Sequence, residues 1–321
     1  MIRRLPLILG VAGIIAGCAP GPSGTTGTSG STGSTPIPRT TAPSTEQLVV
    51  LAGTVGAMTV VTPNAAGQLA VQAGGSATGL PASVVWLSSD GSQLLATTLD
   101  GRAALGSPDS PGSPIDWRAP PGDLSGPHPL RAFGSLGRNG QVAFVEGDPG
   151  AGTPGRLVVE TLEGSAVRTV PLPTAPESPP TSLPDGRIAV IVRNDDDQPE
   201  TLLVDADGRT QWLNGPPPRS IAIGGDIVAT VDEVGALRVA PVSAWLAGSA
   251  LPSVAAGDPG ETAIQAQPSP SGTQLAVVVA NVEGDADAIR ILAATGGWHE
   301  IARFELPTGA NRAVVGWLAV P

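Results

Sequence analysis

The chain has 321 residues and a formal net charge of −11, with 28 acidic residues against 17 basic ones, and every basic residue is arginine. Because an acidic protein repels a phosphate backbone, we expect no nucleic-acid partner. The absence of lysine and tyrosine excludes a lysine Schiff base and a tyrosine acid, and the single cysteine excludes an internal disulfide.

The first eighteen residues carry signals for export and lipid attachment. Arg3 and Arg4 precede an apolar stretch over 5–16 that would span about 18 Å as a helix, too short for a bilayer core of roughly 30 Å. We therefore predict a signal peptide over 1–17. Residues 15–18, Ile-Ala-Gly-Cys, resemble a bacterial lipobox, which implies a diacylglyceryl group on Cys18 and an extracytoplasmic protein anchored to the cell membrane. The alternative is an ordinary signal peptide with an incidental cysteine.

The segment 18–47 joins this predicted anchor to the rest of the chain. After Cys18 it contains almost only Gly, Ser, Thr, Pro and Ala. Such a composition buries too little apolar surface to offset the entropy of ordering, so we predict a disordered linker. We assign 48–321 to one folded domain.

Short apolar, β-branched runs bounded by Gly, Pro, Asp or Asn fill the region from residue 48 onward, which predicts an all-β fold. A turn-like tetrapeptide followed by an apolar run recurs five times, with gaps of 49, 46, 39 and 47 residues between its marker glycines. This spacing fits four strands and their turns, the size of a β-propeller blade. The markers are Gly91, Gly140, Gly186, Gly225 and Gly272.

The repeats predict blades two to six at 83–120, 129–172, 180–214, 219–255 and 262–307. The region 48–73 then offers only three strands for blade one. The C-terminal run 313–320 resembles the strand that opens blade two, so we predict that it pairs beside 48–53 as the innermost strand of blade one. The result is a closed six-bladed propeller of four-stranded antiparallel blades with no open edge.

Turns that lead into Gln-Leu-Leu-Ala, Arg-Ile-Ala-Val and Gln-Leu-Ala-Val resemble the repeats of TolB-type propellers. The whole arrangement is similar to the propeller portion of LpqB-type actinobacterial lipoproteins, without the additional N-terminal domains of that family. The resemblance implies the propeller architecture and an envelope location, and it carries no partner over to this chain.

Acidic loops between the second and third strands of the blades are candidates for a binding rim. We expect Asp195, Asp196 and Asp197 of blade four and Glu283, Asp285 and Asp287 of blade six to lie on one face, together with the connecting-loop residues His128 and Arg131. Carboxylates of this kind could hold Ca²⁺, but the spacing matches no calcium loop, so we predict no cofactor and no metal site.

The aromatic residues are interpreted as structural. Trp117, Trp212 and Trp298 each follow a marker glycine by 26 residues, and we expect them to pack between neighbouring blades. Neither His128 nor His299 is expected to be catalytic, because two histidines on separate blades do not form a ligand cluster.

Two functions of different classes remain open. The first is a non-enzymatic binding or scaffold module in the cell envelope, monomeric, with a protein, peptide or wall component as partner. The second is a metal-dependent propeller hydrolase similar to the gluconolactonase type, which needs at least three acidic side chains converging on the ring axis. We favour binding, because the predicted innermost strands end in carboxylate-poor positions: Ser88, Ser135, Ser182, Ile223 and Gln267.

Overall fold

The computed structural model describes residues 45–320, and the predicted signal peptide, Cys18 and most of the predicted linker therefore lie outside the described residues. Two predicted rim residues, His128 and Asp195, also lie outside them. The positions between 45 and 320 that are not described are 55–56, 64–67, 72–79, 82, 99, 111–112, 122–125, 127–130, 138–139, 148–153, 177, 195, 216–217, 256, 259 and 282.

The described residues form 24 strands and one short helix. The strands of the first half of the chain are β1 (Thr45–Thr54), β2 (Ala57–Pro63), β3 (Leu69–Val71), β4 (Val84–Ser89), β5 (Leu94–Thr98), β6 (Ala103–Pro108), β7 (Ile115–Arg118), β8 (Arg131–Leu136), β9 (Gln141–Glu146), β10 (Arg156–Thr161) and β11 (Ala166–Pro171). The elements of the second half are β12 (Thr181–Ser182), β13 (Ile188–Arg193), β14 (Pro199–Val204), β15 (Thr210–Leu213), β16 (Pro218–Gly224), β17 (Ile227–Asp232), β18 (Leu237–Pro241), α1 (Val242–Leu246), β19 (Ser253–Val254), β20 (Thr262–Pro268), β21 (Gln274–Ala280), β22 (Ala286–Ala293), β23 (His299–Glu305) and β24 (Arg312–Val320).

The strands build six four-stranded antiparallel sheets, which confirms the predicted six-bladed propeller. Blades two to six each consist of four consecutive strands, from β4–β7 to β20–β23. Blade one has the order β24-β1-β2-β3, because the last strand of the chain pairs with the first. The pairing runs from Thr45 opposite Val320 to Gly53 opposite Arg312, so the predicted closure by the C-terminal strand is confirmed. β1 begins at Thr45, inside the segment that the sequence assigned to the linker.

One hydrophobic cluster fills each junction between neighbouring blades. Successive side chains of a strand point to opposite faces of its sheet. Val50 of β1 therefore packs against blade six, whereas Leu51 packs against blade two. Because both faces of a blade are covered, its middle strands read as continuous apolar runs, as in the Leu-Ala-Val-Val-Val-Ala run of β21.

The turns that join the first and second strands of blades two to six are tight. All five marker glycines have positive φ, from 59° at Gly225 to 99° at Gly91, which is the conformation that the repeat pattern predicted for these turns. The adjacent Gly224 allows a second feature: a Cβ atom on it would lie 2.3 Å from the carbonyl oxygen of Ser269, so only glycine permits blades five and six to approach here.

Candidate functional site

A channel runs along the ring axis between the six innermost strands, which are β24, β4, β8, β12, β16 and β20. We call its two openings the turn mouth and the bulge mouth. The turn mouth lies where the innermost strands end and the turns to the second strands begin. The bulge mouth lies at the opposite end, where the innermost strands start. A smaller cavity of about 30 Å³ lies between them.

Polar side chains in the middle of the channel connect the blades to one another. Ser88 Oγ accepts a hydrogen bond from the backbone N–H of Leu136 at 2.9 Å, and Thr181 Oγ1 donates to the carbonyl of Ile221 at 2.8 Å. The hydroxyls of Ser135 and Ser182 lie 3.2 Å apart and join blades three and four. These groups therefore hold the ring together and already have partners within it.

The amide of Gln265 makes the corresponding connection between blade six and blade one. Its Nε2 donates to the carbonyl of Val315, while its Oε1 accepts from the N–H of the same residue. The indole Nε1 of Trp317 adds a hydrogen bond of 2.9 Å to the carbonyl of Gln267. The buried Gln265 and Trp317 thus fasten the C-terminal strand to the neighbouring blade.

The turn mouth encloses about 190 Å³ and is lined by turns of five blades and by Trp317. Its charged lining residues are Asp90, Arg168 and Arg187. Arg168 on β11 donates from Nη1 to the carbonyl of Asp205 at 2.6 Å, and its buried Nε has no partner among the described residues. The carboxylate of Asp90 accepts hydrogen bonds from the backbone N–H groups of Ser92 and Gln93. Asp185 pairs with Arg187 at 2.6 Å. Burial opposes ionisation of Asp185, but the hydrogen bonds from Arg187 outweigh it and lower the pKa of this carboxyl.

The bulge mouth is larger, with a volume of about 370 Å³. A β-bulge interrupts the innermost strand just after its start in blades two, three, five and six, at Val85, Phe133, Arg219 and Ile264. A bulged residue is left unpaired, so its side chain can be aimed away from the sheet. Three of these residues, Val85, Arg219 and Ile264, line the mouth.

Two arginines line the bulge mouth from the blades on either side of blade six. Arg219 lies on β16 of blade five, and Arg312 is the first residue of β24 in blade one. Both side chains are exposed, and neither has a hydrogen-bond or ion-pair partner among the described residues. Asp285 of blade six lines the same mouth, and no ion pair within the described residues joins it to either arginine.

The remaining lining of the bulge mouth is polar and aromatic. Trp86 is half-buried on β4. The hydroxyl of Ser178, whose residue is 5% exposed, has no hydrogen-bond partner within the described part of the chain. A buried hydroxyl without a partner is costly unless something else supplies a hydrogen bond. The bulge mouth is therefore an end of the channel where two guanidiniums and a hydroxyl have no partner among the described residues.

The predicted acidic loops share the face of the bulge mouth, because both join a second strand to a third strand. Of the described carboxylates in these loops, Asp285 alone lines the axial cavity. Asp197 lies 3.6 Å from Arg193, and Asp287 lies 3.6 Å from Arg303. Asp196 and Glu283 are exposed, and their backbone N–H groups donate to asparagine side chains within their own loops.

Arg131 is buried at the start of β8, with 7% of its surface exposed. Its guanidinium pairs with Glu146 at 3.2 Å and with Glu160 at 2.8 Å, and it lies 4.5 Å from the ring centroid of Phe144. Glu146 also accepts from Arg156 at 2.6 Å. Instead of standing in a connecting loop, Arg131 neutralises two buried carboxylates of blade three.

A second cluster of charges fixes the outer part of blade six. Arg303 donates hydrogen bonds to Glu261 and Glu305, which raises the pKa of Arg303 and lowers that of Glu261. The neighbouring Arg290, 8% exposed at its side chain, pairs with Asp258 and Glu300. On this face Arg290 and Arg303 are therefore paired with carboxylates, whereas Arg219 and Arg312 have no such partner among the described residues.

The three tryptophans do not share one role. Trp117 is 2% exposed in the cluster between blades one and two, and Trp298 packs against the cluster between blades five and six, as expected. Trp212 is 42% exposed, so the expectation of inter-blade packing was wrong for it. Its neighbour Leu213 enters the junction between blades four and five instead, together with Trp245 of α1.

The channel carries few groups suited to metal chemistry in its described lining. No set of three His, Cys, Asp or Glu side chains among the described residues is arranged to hold a metal ion. The carboxylates that line its described part are Asp90 at the turn mouth and Asp285 at the bulge mouth, at opposite ends. None of the helices in the described ranges is long and apolar enough to cross a bilayer.

No protein-family model matches the chain, and no curated protein matches it in sequence. Among solved structures it is similar to the RRP9 WD40 repeats, at 12% identity and a TM-score of 0.46 over 80% of this chain and 77% of that one. It is similar to the β-propeller domain of Myceliophteria thermophila Cps50 (Swd1), at 13% identity and a TM-score of 0.41 over 69% of this chain and 72% of that one. It is also similar to puromycin hydrolase, at 19% identity and a TM-score of 0.49 over 79% of this chain and 52% of that chain. These likenesses concern the β-propeller fold alone.

Sequence reasoning missed Arg219, Arg312 and Ser178. Each comes from a different blade, and no local motif joins them. One signal was available, since the three lie at or just before the start of a predicted innermost strand. Aligning the first residues of all six innermost strands would have placed them on one ring.

Proposed function

We propose that this protein is a lipid-anchored extracytoplasmic lipoprotein whose propeller acts as a non-enzymatic binding module in the cell envelope. The bulge mouth is its docking site, and the partner is a protein, a peptide or a wall component. The observation that carries this proposal is the bulge mouth itself, where the side chains of Arg219 and Arg312 and the buried hydroxyl of Ser178 have no partner among the described residues. A rigid ring with one set of free polar groups is suited to holding a ligand.

The N-terminal sequence supports the anchoring part of the proposal. The charged start, the short apolar stretch and the lipobox-like residues before Cys18 agree with one another, and the repeats resemble those of TolB-type and LpqB-type propellers. Thr45, the first described residue, lies at the turn-mouth end of the ring, because it pairs with Val320 and its neighbour Glu46 accepts a hydrogen bond from Ser271.

Site-specific photo-crosslinking in intact cells tests the docking site. A photoreactive residue replaces Asn311 at the bulge mouth, and the matched control replaces Pro184 at the turn mouth; both positions are exposed. We expect a defined adduct from position 311 and none from 184. Equal labelling at both positions, or labelling from 184 alone, would place the docking site elsewhere.

The anchor has its own test. We expect Cys18→Ser to shift the protein from the membrane fraction to the soluble fraction, because acyl chains supply about 0.8 kcal/mol per buried CH₂ group. Globomycin should block maturation of the unmodified protein. If neither treatment changes the fractionation, the chain has no lipid anchor at Cys18, although the docking site can still be correct.

A further inference from the structure

The arginines of this protein divide into paired and unpaired groups. In most described arginines the guanidinium contacts a carboxylate or a main-chain carbonyl, as Arg187, Arg238 and Arg303 do. Within the described residues, the arginines without such a partner are Arg118, Arg219 and Arg312. In a chain with 28 acidic and 17 basic residues, an arginine without a partner needs an explanation. Two of the three line the same cavity.

The backbone holds these two arginines at the mouth. Arg219 is the extra residue of the bulge in β16, where Pro218 pairs with Asp232 and Ser220 pairs with Val231. Arg312 begins β24 and pairs with Gly53, and the preceding residue Asn311 donates its N–H to the carbonyl of Gly53 at 2.9 Å. Because both backbones are fixed by the sheets, a ligand has only to order the side chains.

The cavity between them has the size and chemistry of a small-molecule site. Its volume of about 370 Å³ falls in the range of roughly 300 to 1,000 Å³ that is typical of ligand pockets. Trp86 supplies a flat apolar wall, and the buried hydroxyl of Ser178 lines the cavity without a partner. A guanidinium presents a planar fork of donors that matches the oxygens of a carboxylate or a phosphate.

We propose that the bulge mouth binds a small ligand that carries an oxyanion, held by Arg219 and Arg312. The proposal rests on the proposed function and specifies the chemistry of what that site takes. Two guanidiniums without a carboxylate partner among the described residues favour an anion at this mouth, in a protein whose net charge is −11.

Asp285 restricts the choice of ligand further. It lines the mouth from blade six, between the blades that supply the two arginines. A carboxylate repels an oxyanion but accepts a hydrogen bond from an ammonium or hydroxyl group. The site therefore prefers a ligand that combines an anionic group with a donor group over one that is anionic throughout.

Isothermal titration of the purified full-length protein tests the site with four probes: succinate, inorganic phosphate, glutarate and L-glutamate. Succinate and phosphate distinguish a carboxylate site from a phosphate site. Glutarate and glutamate differ by an ammonium group, and we expect glutamate to bind more tightly. Because the chain contains no lysine, each arginine variant removes one of the few cations near the site.

Arginine variants then assign the binding. We expect Arg219→Gln and Arg312→Gln each to weaken the best probe by about tenfold or more, because charge-assisted hydrogen bonds are lost. The matched control is Arg118→Gln, which removes the same charge from an exposed, unpaired arginine on the outer strand β7. It should leave the affinity unchanged. Asp285→Asn should reduce the preference for glutamate over glutarate.

Three results would overturn the proposal: no binding by any probe, an equal loss of affinity in the Arg118 control, or unchanged affinity in the double variant of Arg219 and Arg312. Photo-crosslinking from position 311 separates this failure from that of the proposed function. If the double variant still captures the same partner in cells, the binding module stands and the oxyanion site is wrong. If the probes bind but no adduct forms from position 311, the oxyanion site stands and the proposed binding module is wrong.

Discussion

The two mouths of the channel are built by the same six strands, yet they use their polar groups in opposite ways. At the turn mouth, Asp90 and Asp185 bond within their own turns, and Trp317 bonds to the neighbouring blade. At the bulge mouth, Arg219 and Arg312 have no partner among the described residues. At the turn mouth the carboxylates are therefore bonded within the ring, whereas at the bulge mouth two guanidiniums are not.

The difference has a structural origin. Tight turns need side-chain acceptors for their free N–H groups, so the polar residues of the turn mouth are consumed locally. The bulge mouth is formed mostly by strand starts, where connections arrive from the preceding blade, and the tight turn at 281–285 that also lines it bonds within itself. Ring closure adds to the asymmetry, because both described termini of the ring, Thr45 and Val320, meet at the turn-mouth end.

The largest loss of stability is expected from a substitution at the turn mouth. Trp317→Ala should reduce the free energy of unfolding by about 3–5 kcal/mol, because it removes a buried indole and leaves a cavity. Trp317 is 4% exposed and bonds to Gln267, which fastens the closing strand. Urea denaturation measures the loss, and Trp212→Ala, at a 42% exposed position, is the control with a small effect. A loss below about 1 kcal/mol for Trp317→Ala would show that this contact does not secure the closure.

A slightly smaller loss is expected from the buried arginine at the other end. Arg131→Met should destabilise the protein by about 3 kcal/mol, because Glu160 and Glu146 each lose their ion pair with the buried guanidinium. Arg156→Gln, with a side chain 54% exposed, should cost much less. If Arg131→Met also abolished oxyanion binding without unfolding the ring, the separation between paired and unpaired arginines would fail.

The charged cluster of blade six should make stability depend on acid pH. The hydrogen bond from Arg303 lowers the pKa of Glu261 below its ordinary 4.5. The ionised carboxylate therefore stabilises the fold above the unfolded pKa, and this contribution is lost as pH falls through the folded pKa. We expect the melting temperature of Glu261→Gln to fall less than that of the parent protein below pH 4.5. Glu233→Gln, an exposed carboxyl of blade five, should keep the parent profile; the comparison is wrong if both variants behave alike.

The smallest effect on stability is expected from the arginines of the bulge mouth. Arg219→Gln and Arg312→Gln should change the free energy of unfolding by no more than about 0.5 kcal/mol, since exposed side chains without partners contribute little. Thermal melts without ligand measure this directly. A loss above about 2 kcal/mol in either variant would mean that the arginine serves the fold, and the contrast between the two mouths would disappear.

Much of the fold followed from local sequence. The positive-φ glycines marked the turns, and their spacing predicted the blades, because a turn conformation that only glycine adopts easily leaves a mark at a single position. The closure by 313–320 followed from counting strands. The tryptophans show the limit of spacing, since Trp212 shares its distance from a marker with Trp117 but faces outward. Which residue of an outer strand is covered depends on packing against the neighbouring blade, and here Leu213 rather than Trp212 enters that cluster.

The sequence by itself determined the all-β class, the number of blades and the turn residues, because each depends on patterns within about fifty residues. The tertiary structure alone decided which charges are available. Arg131 and Arg312 both begin an innermost strand, but Glu146 and Glu160 surround the first and no carboxylate among the described residues pairs with the second. Pairing of charges depends on distances across blades, and ring closure sets those distances.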